Sequence, residues 1–181
     1  MERLFSLYFV NIHPNFPILH RPTFLQDVAS KLHLVDEVFG ATVLLVCALG
    51  ARFSYDYASL LPGAAHWQLC GWPWFEEVRE KRKLMPLTPT TLRDVQVAVV
   101  SFLLCLTVLM CLKPGQLATA YVATLGLVQA ISPSVAYALR LCQNLGLHRR
   151  TTYGATPSVE DELRKRAFWW AMTLHMSLCN A

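Results

Sequence analysis

Between Val95 and Leu112 the chain carries no charged side chain, and after Lys113 the same holds from Pro114 to Leu139. Runs of this kind admit two folds, a pair of membrane-crossing helices or the buried helices of a core. At the helical rise per residue the first run would extend roughly 27 Å, close to the hydrocarbon thickness of a bilayer. Lys113-Pro114-Gly115 would then be the turn of a hairpin. The second run, however, holds Gln116, Thr119, Thr124, Gln129, Ser132, Pro133 and Ser134, a polar set that is costly to face toward lipid. Core helices are also apolar on every side, so the expectation is an all-α, irregular multi-helix bundle with one or more fully buried apolar helices.

The remaining sequence favours helices too. No segment alternates cleanly, and no Asn-Gly or Asp-Gly pair marks a hairpin. Glu2 to Asn11 reads as a helix that stops before Pro14, since proline disfavours the helical region in the residue before it. Pro22 suits a first turn, opening a short helix to about Lys31 with Phe24, Leu25 and Val28 facing inward. Asp36 is placed to cap a helix reaching about Phe53. Leu61-Pro62-Gly63 reads as a turn, and Ala64 to about Met85 as a helix broken at Pro73. Trp74, Phe75 and Val78 share its inner side, with Glu77 and Lys81 paired on the other. Thr90 or Thr91 caps the apolar helix. A further helix is predicted from about Ser134 to Leu145, closed by Gly146 at the C′ position. Pro157 and Ser158 start the last one. Glu160, Asp161 and Glu162 fill its first turn, where the helix dipole favours anions, each with a base four residues on at Arg164, Lys165 and Arg166. Phe168, Trp169 and Trp170 then carry that helix into the core.

Function classes are easier to exclude than to name. The chain has 181 residues, 54% hydrophobic and 15% charged, with a net charge of +4. That length suits one domain and the composition excludes intrinsic disorder. The charge is too small and too dispersed for a nucleic-acid surface. The basic run Arg79 to Lys83 is interleaved with Glu80 and reads as a solvated helix end. Cysteines 47, 70, 105, 111, 142 and 179 form no Cys-x-x-Cys pair, so neither a zinc site nor a disulfide framework is indicated. No catalytic motif occurs, and the six histidines never pair with an acid or one another at metal spacing. The N-terminal apolar run, broken at Asn11, His13 and Pro14, does not read as a secretory signal.

Three stretches nevertheless carry a resemblance. Leu7-Tyr8-Phe9, with His13-Pro14-Asn15-Phe16-Pro17-Ile18-Leu19-His20-Arg21-Pro22-Thr23-Phe24, resembles the opening of the fungal-specific transcription factor domain. This domain is the middle homology region of zinc binuclear cluster regulators. Ala138 to Arg149, ending Leu145-Gly146-Leu147-His148-Arg149, is similar to its central helix and turn. Glu162-Leu163-Arg164-Lys165-Arg166-Ala167-Phe168-Trp169-Trp170 is similar to the helix that follows, and Gly71-Trp72-Pro73-Trp74-Phe75 fits a common variant between them. Physically, the first motif is a proline-stiffened connector pinned by Phe16, Ile18 and Phe24. The second is a glycine helix stop, and the third an aromatic core anchor.

The resemblance implies a nuclear regulator of transcription whose DNA contact and zinc belong to an N-terminal cluster that residues 1–181 do not contain. What remains is similar to the regulatory domain, with co-regulators or the transcription machinery, a small-molecule effector and a second copy as the implied partners. No membrane role, no catalytic residue, no metal ligand and no cofactor of this chain's own is implied. In the family the last helix continues into an aspartate and a Gly-Arg-Pro motif, whereas here His175 to Ala181 closes the chain. The expectation is therefore a partial domain, its C-terminal part missing and 117–133 an insertion. A membrane-embedded helical fragment and an enzyme without a recognisable motif are the rival readings.

Overall fold

The computed structural model describes residues 1–54, 70–81, 90–110, 135–154, 156 and 158–179. Among them the regular structure is helical, with no strand: α1 (Glu2–Asn11), α2 (Arg21–Ala29), α3 (Glu37–Ala51), α4 (Trp72–Lys81), α5 (Leu92–Met110), α6 (residues 135–144) and α7 (Val159–Cys179). The turn expected at Leu61 to Gly63, the first half of the segment from Ala64 and the insertion expected at 117–133 lie outside the described residues.

Helix α3 is the axle of the fold. Asp36 caps it, accepting from the amides of Val38 at 2.9 Å and Phe39 at 3.0 Å. This satisfies two of the donors that every helix start leaves free. From Ala41 to Ala51 every residue except Leu44 is buried, and α1, α4 and α5 all pack on it. Small residues let the neighbours approach. A Cβ on Gly50 would stand 2.2 Å from the Leu4 carbonyl oxygen of α1, and one on Gly71 would meet the Ala48 backbone.

Helix α5 occupies the uncharged run and closes the other side, packing on α3 and α7. Thr91 and Asp94 cap it reciprocally. The Thr91 amide donates to Asp94 Oδ2 at 2.9 Å, and the Asp94 amide reaches Thr91 Oγ1 at 3.4 Å, a capping-box arrangement with aspartate in the acid position. Val95, Val99, Val100, Leu103 and Leu104 are buried, while Ala98, Ser101 and Leu106 are half-buried. No described helix is long and apolar enough to cross a membrane.

Three orientations differ from the sequence expectation. Leu25 of α2 is 39% exposed, because α2 turns only Phe24 fully inward. Trp169 is 64% exposed. The inward positions of α7 are Ala167, Ala171 and Leu174, and at 100° per residue Trp169 falls on the opposite side from Ala167. Asp161 bonds Arg164 at 3.6 Å rather than Lys165, which sits 3.9 Å from Glu162. Asp161 is buried toward the core, so only the base one turn above it on that side is in reach. Pro73 lies in the first turn of α4, where its missing N–H has no partner to lose, and the segment expected to precede the break lies outside the described residues.

Candidate functional site

The proline-rich connector between α1 and α2 is a strap bound across the core. Ile18 and Leu19 are buried, and both carbonyls are taken: Gln96 Nε2 of α5 donates to Ile18 O at 3.1 Å, and His13 Nε2 donates to Leu19 O at 2.7 Å. A buried carbonyl must find such a donor. Phe16 lies against Trp170 of α7, ring centres 4.6 Å apart. The strap thus joins α5 and α7 to the N-terminal helices. Pro14 and Pro17 restrict its backbone while remaining at least partly exposed, and His20 Nδ1 shares a hydrogen bond with Thr23 Oγ1 at 2.8 Å. Beyond the strap, Phe24 enters a nest of rings with Phe5, Phe9 and Phe39 at centre distances of 5.3, 5.6 and 5.7 Å. The Arg21 guanidinium sits over Phe9 at 5.6 Å. Tyr8, next to this nest, is fully buried with its hydroxyl unpaired. Burial pushes that phenol well above its ordinary range.

Across the molecule, α6 ends in a left-handed glycine. Gly146 has φ +68°, its amide donates to Gln143 O, and the Leu147 amide donates to Cys142 O, both at 2.9 Å. This double bond pattern is the Schellman motif, completed by the buried Leu147. Thr152 Oγ1 donates to Gly146 O at 2.8 Å and Tyr153 Oη to Leu147 O at 2.5 Å, so the following turn folds back onto the stop. His148, Arg149 and Arg150 project from it into solvent. Helix α7 starts with Ser158 Oγ accepting from the Asp161 amide at 3.0 Å. Arg164 pairs with Glu160 at 2.6 Å and Arg166 with Glu162 at 3.7 Å, Phe168 is half-buried, and Lys165 lies over the Tyr153 ring at 5.4 Å.

A third constellation holds α2, α3 and α5 together. Arg93 donates to Asp36 Oδ2 and, at 3.2 Å, to Asp27 Oδ2, while its guanidinium lies 5.2 Å from the Phe39 ring centre. Partial burial disfavours the Asp36 carboxylate, but the Phe39 and Val38 amides and Arg93 outweigh it and hold its pKa below the usual value. Gln96, Arg93, Asp27 and Thr152 were not singled out by sequence pattern. Gln96 did leave a signal, as a lone amide in an uncharged helix that needs a buried partner.

These groups bind one another. Among the described residues no cluster of three or more His, Cys, Asp or Glu is placed to hold a metal. The four described cysteine side chains, Cys47, Cys70, Cys105 and Cys142, are buried and separate. Burial lifts the Cys47 thiol to about 11 and those of Cys105 and Cys142 to about 12, so they are protonated thiols rather than ready thiolate ligands.

The comparisons agree with this construction. Two curated relatives, from Aspergillus oryzae and Aspergillus fumigatus, are each called an ABC-transporter-regulating transcription factor. Each is 28% identical over 97% of this chain. The chain spans only 18% of the length of either relative. No solved structure matches the chain. The fungal specific transcription factor domain matches residues 5–174, taking in the strap, the glycine stop and most of α7, and the chain belongs to that family.

Proposed function

We propose that this chain is the regulatory, middle-homology domain of a fungal zinc-cluster transcription factor, modulating transcription in the nucleus. The observation that carries the reading is the family match across residues 5–174. Its motifs are spent on intramolecular ties, the strap, the helix stop and the α7 ion pairs, rather than on a reaction. DNA contact and zinc are assigned to an N-terminal cluster outside residues 1–181, and the 117–133 segment to an insertion. Partners of the domain are co-regulators or the transcription machinery, a small-molecule effector and a second copy. Because both relatives are named for regulating ABC transporters, genes for such transporters are the proposed target class. The family gives no reason to expect catalysis.

A reporter assay tests this. The chain is fused to a heterologous DNA-binding domain, with and without a strong activation segment, in a fungal host. A regulatory domain changes reporter output in at least one of the two contexts, and a fluorescent fusion of the longer protein collects in the nucleus. Output identical to the DNA-binding domain alone in both contexts overturns the proposal.

A further inference from the structure

Helix α2 is the least anchored of the described N-terminal elements. Phe24 is its one fully buried residue, Val28 is half-buried, and Arg21, Pro22, Thr23, Leu25 and Gln26 are exposed. Its nearest backbone neighbour is the short turn Leu32–Leu34 rather than a long helix. The chain on either side is fixed. Upstream, Ile18 and Leu19 are buried with their carbonyls held by Gln96 and His13. Downstream, Asp36 caps α3. Between α2 and that cap stands Lys31 at φ +59°, the one non-glycine in the left-handed region among the described residues. Side chains seldom adopt that region, so it marks a localised bend. A short element between two fixed ends, with one buried anchor, belongs at the low end of local stability.

Beyond its ring contacts and the packing of half-buried Val28 on the core, α2 is joined to the body by the ion pair from Asp27 to Arg93 at 3.2 Å, whose side chains are 25% and 36% exposed. We propose that α2 is a flap that swings between His20 and Lys31, latched by Asp27–Arg93, and that its opening withdraws Phe24 and uncovers the ring faces of Phe5, Phe9 and Phe39. The second arm of Arg93, on Asp36, belongs to α3 and stays closed when the flap opens, so the latch acts on one helix alone. This inference stands apart from the regulatory reading and uses only the geometry of α2.

Amide hydrogen exchange on the full chain tests it, with Asp27→Asn as the latch variant. In the unmodified chain, the amides of Phe24 to Ser30 should exchange together and at least about ten-fold faster than the central amides of α3. Asp27→Asn should speed the α2 amides a further two- to five-fold or so, the range of a partly exposed ion pair, and leave α3 unchanged. Raising salt to about 0.5 M should do the same to the unmodified chain and add nothing in the variant, since such pairs are screened. Exchange of α2 in step with α3 overturns the flap. Exchange of α2 that is fast but indifferent to both Asp27→Asn and salt overturns the latch. The salt dependence of the unmodified chain needs no variant, so α2 exchange indifferent to salt there overturns the latch even if Asp27→Asn folds poorly.

Discussion

At the scale of single residues, the outcomes turn on where each side chain's polar and apolar parts end. Tyr8 buries a hydroxyl without a partner, and an unpaired buried group carries its full desolvation penalty. Tyr8→Phe should therefore stabilise the chain by about 1 kcal/mol, read from denaturant melts. A loss of stability would show that the hydroxyl has a partner after all. The two neighbouring indoles of α7 should separate cleanly. Trp169→Ala, at an exposed position, should change stability by less than about 0.5 kcal/mol. Trp170→Ala, which removes the stacking partner of Phe16, should cost roughly 2 kcal/mol, below the full-burial figure because the ring is half-buried. A Phe16→Ala, Trp170→Ala double variant should lose less than the sum of the singles, as contacting residues do. Equal losses at Trp169 and Trp170 would mean that α7 is rotated about its axis.

At the scale of elements, close approaches and helix ends decide. Gly50 lets α1 lie against α3, and a methyl there would meet a backbone carbonyl rather than a flexible side-chain end. Gly50→Ala should thus cost at least about 2 kcal/mol, as overpacking does. Gly146→Ala should cost only about 1–2 kcal/mol, the strain of a left-handed residue, because the Cβ would approach nothing closer than Thr152 Oγ1 at 3.2 Å. Melts of the two variants check both the size and the order. These contrasts also explain what the sequence made legible. The Asp36 cap, the Gly146 stop and the Ser158 start are local, each written within a few residues of where it acts, and so could be read in advance. The facing of Leu25 and Trp169 depends on which neighbour reaches α2 and α7 from elsewhere in the chain, and composition along one helix does not contain that. The strap follows the same division. Its prolines announced a stiff connector, but its anchors Gln96 and Trp170 lie about 80 and 150 residues away in sequence, and only the fold brings them to Ile18 and Phe16.

At the scale of the whole molecule, the pH dependence of stability adds contributions from groups on several helices of the core. On the acid side, Asp36 has a folded pKa below its ordinary 3.8. Its contribution is therefore complete above the ordinary value and fades as pH falls through the lower folded one. Asp36→Ala should remove that part of the acid limb and, with the cap, about 1 kcal/mol at neutral pH. On the alkaline side the sign reverses. Cys47 on α3, Cys105 on α5 and Cys142 on α6 hold thiols raised from 9.0 to about 11, 12 and 12 by burial. In the unfolded chain they lose protons near 9, while in the folded chain they keep them. Stability is then fully present below 9 and declines as pH rises from 9 toward 12, with a limiting slope of about 1.4 kcal/mol per pH unit for each thiol. Because the three lie on different helices of one core, their slopes should sum in a single cooperative transition. Denaturant melts between pH 8 and 10.5 should show that decline, and replacing all three cysteines by alanine should flatten it while lowering stability at pH 7. An alkaline limb equally steep in the triple variant would show that these thiols already reach solvent in the folded chain.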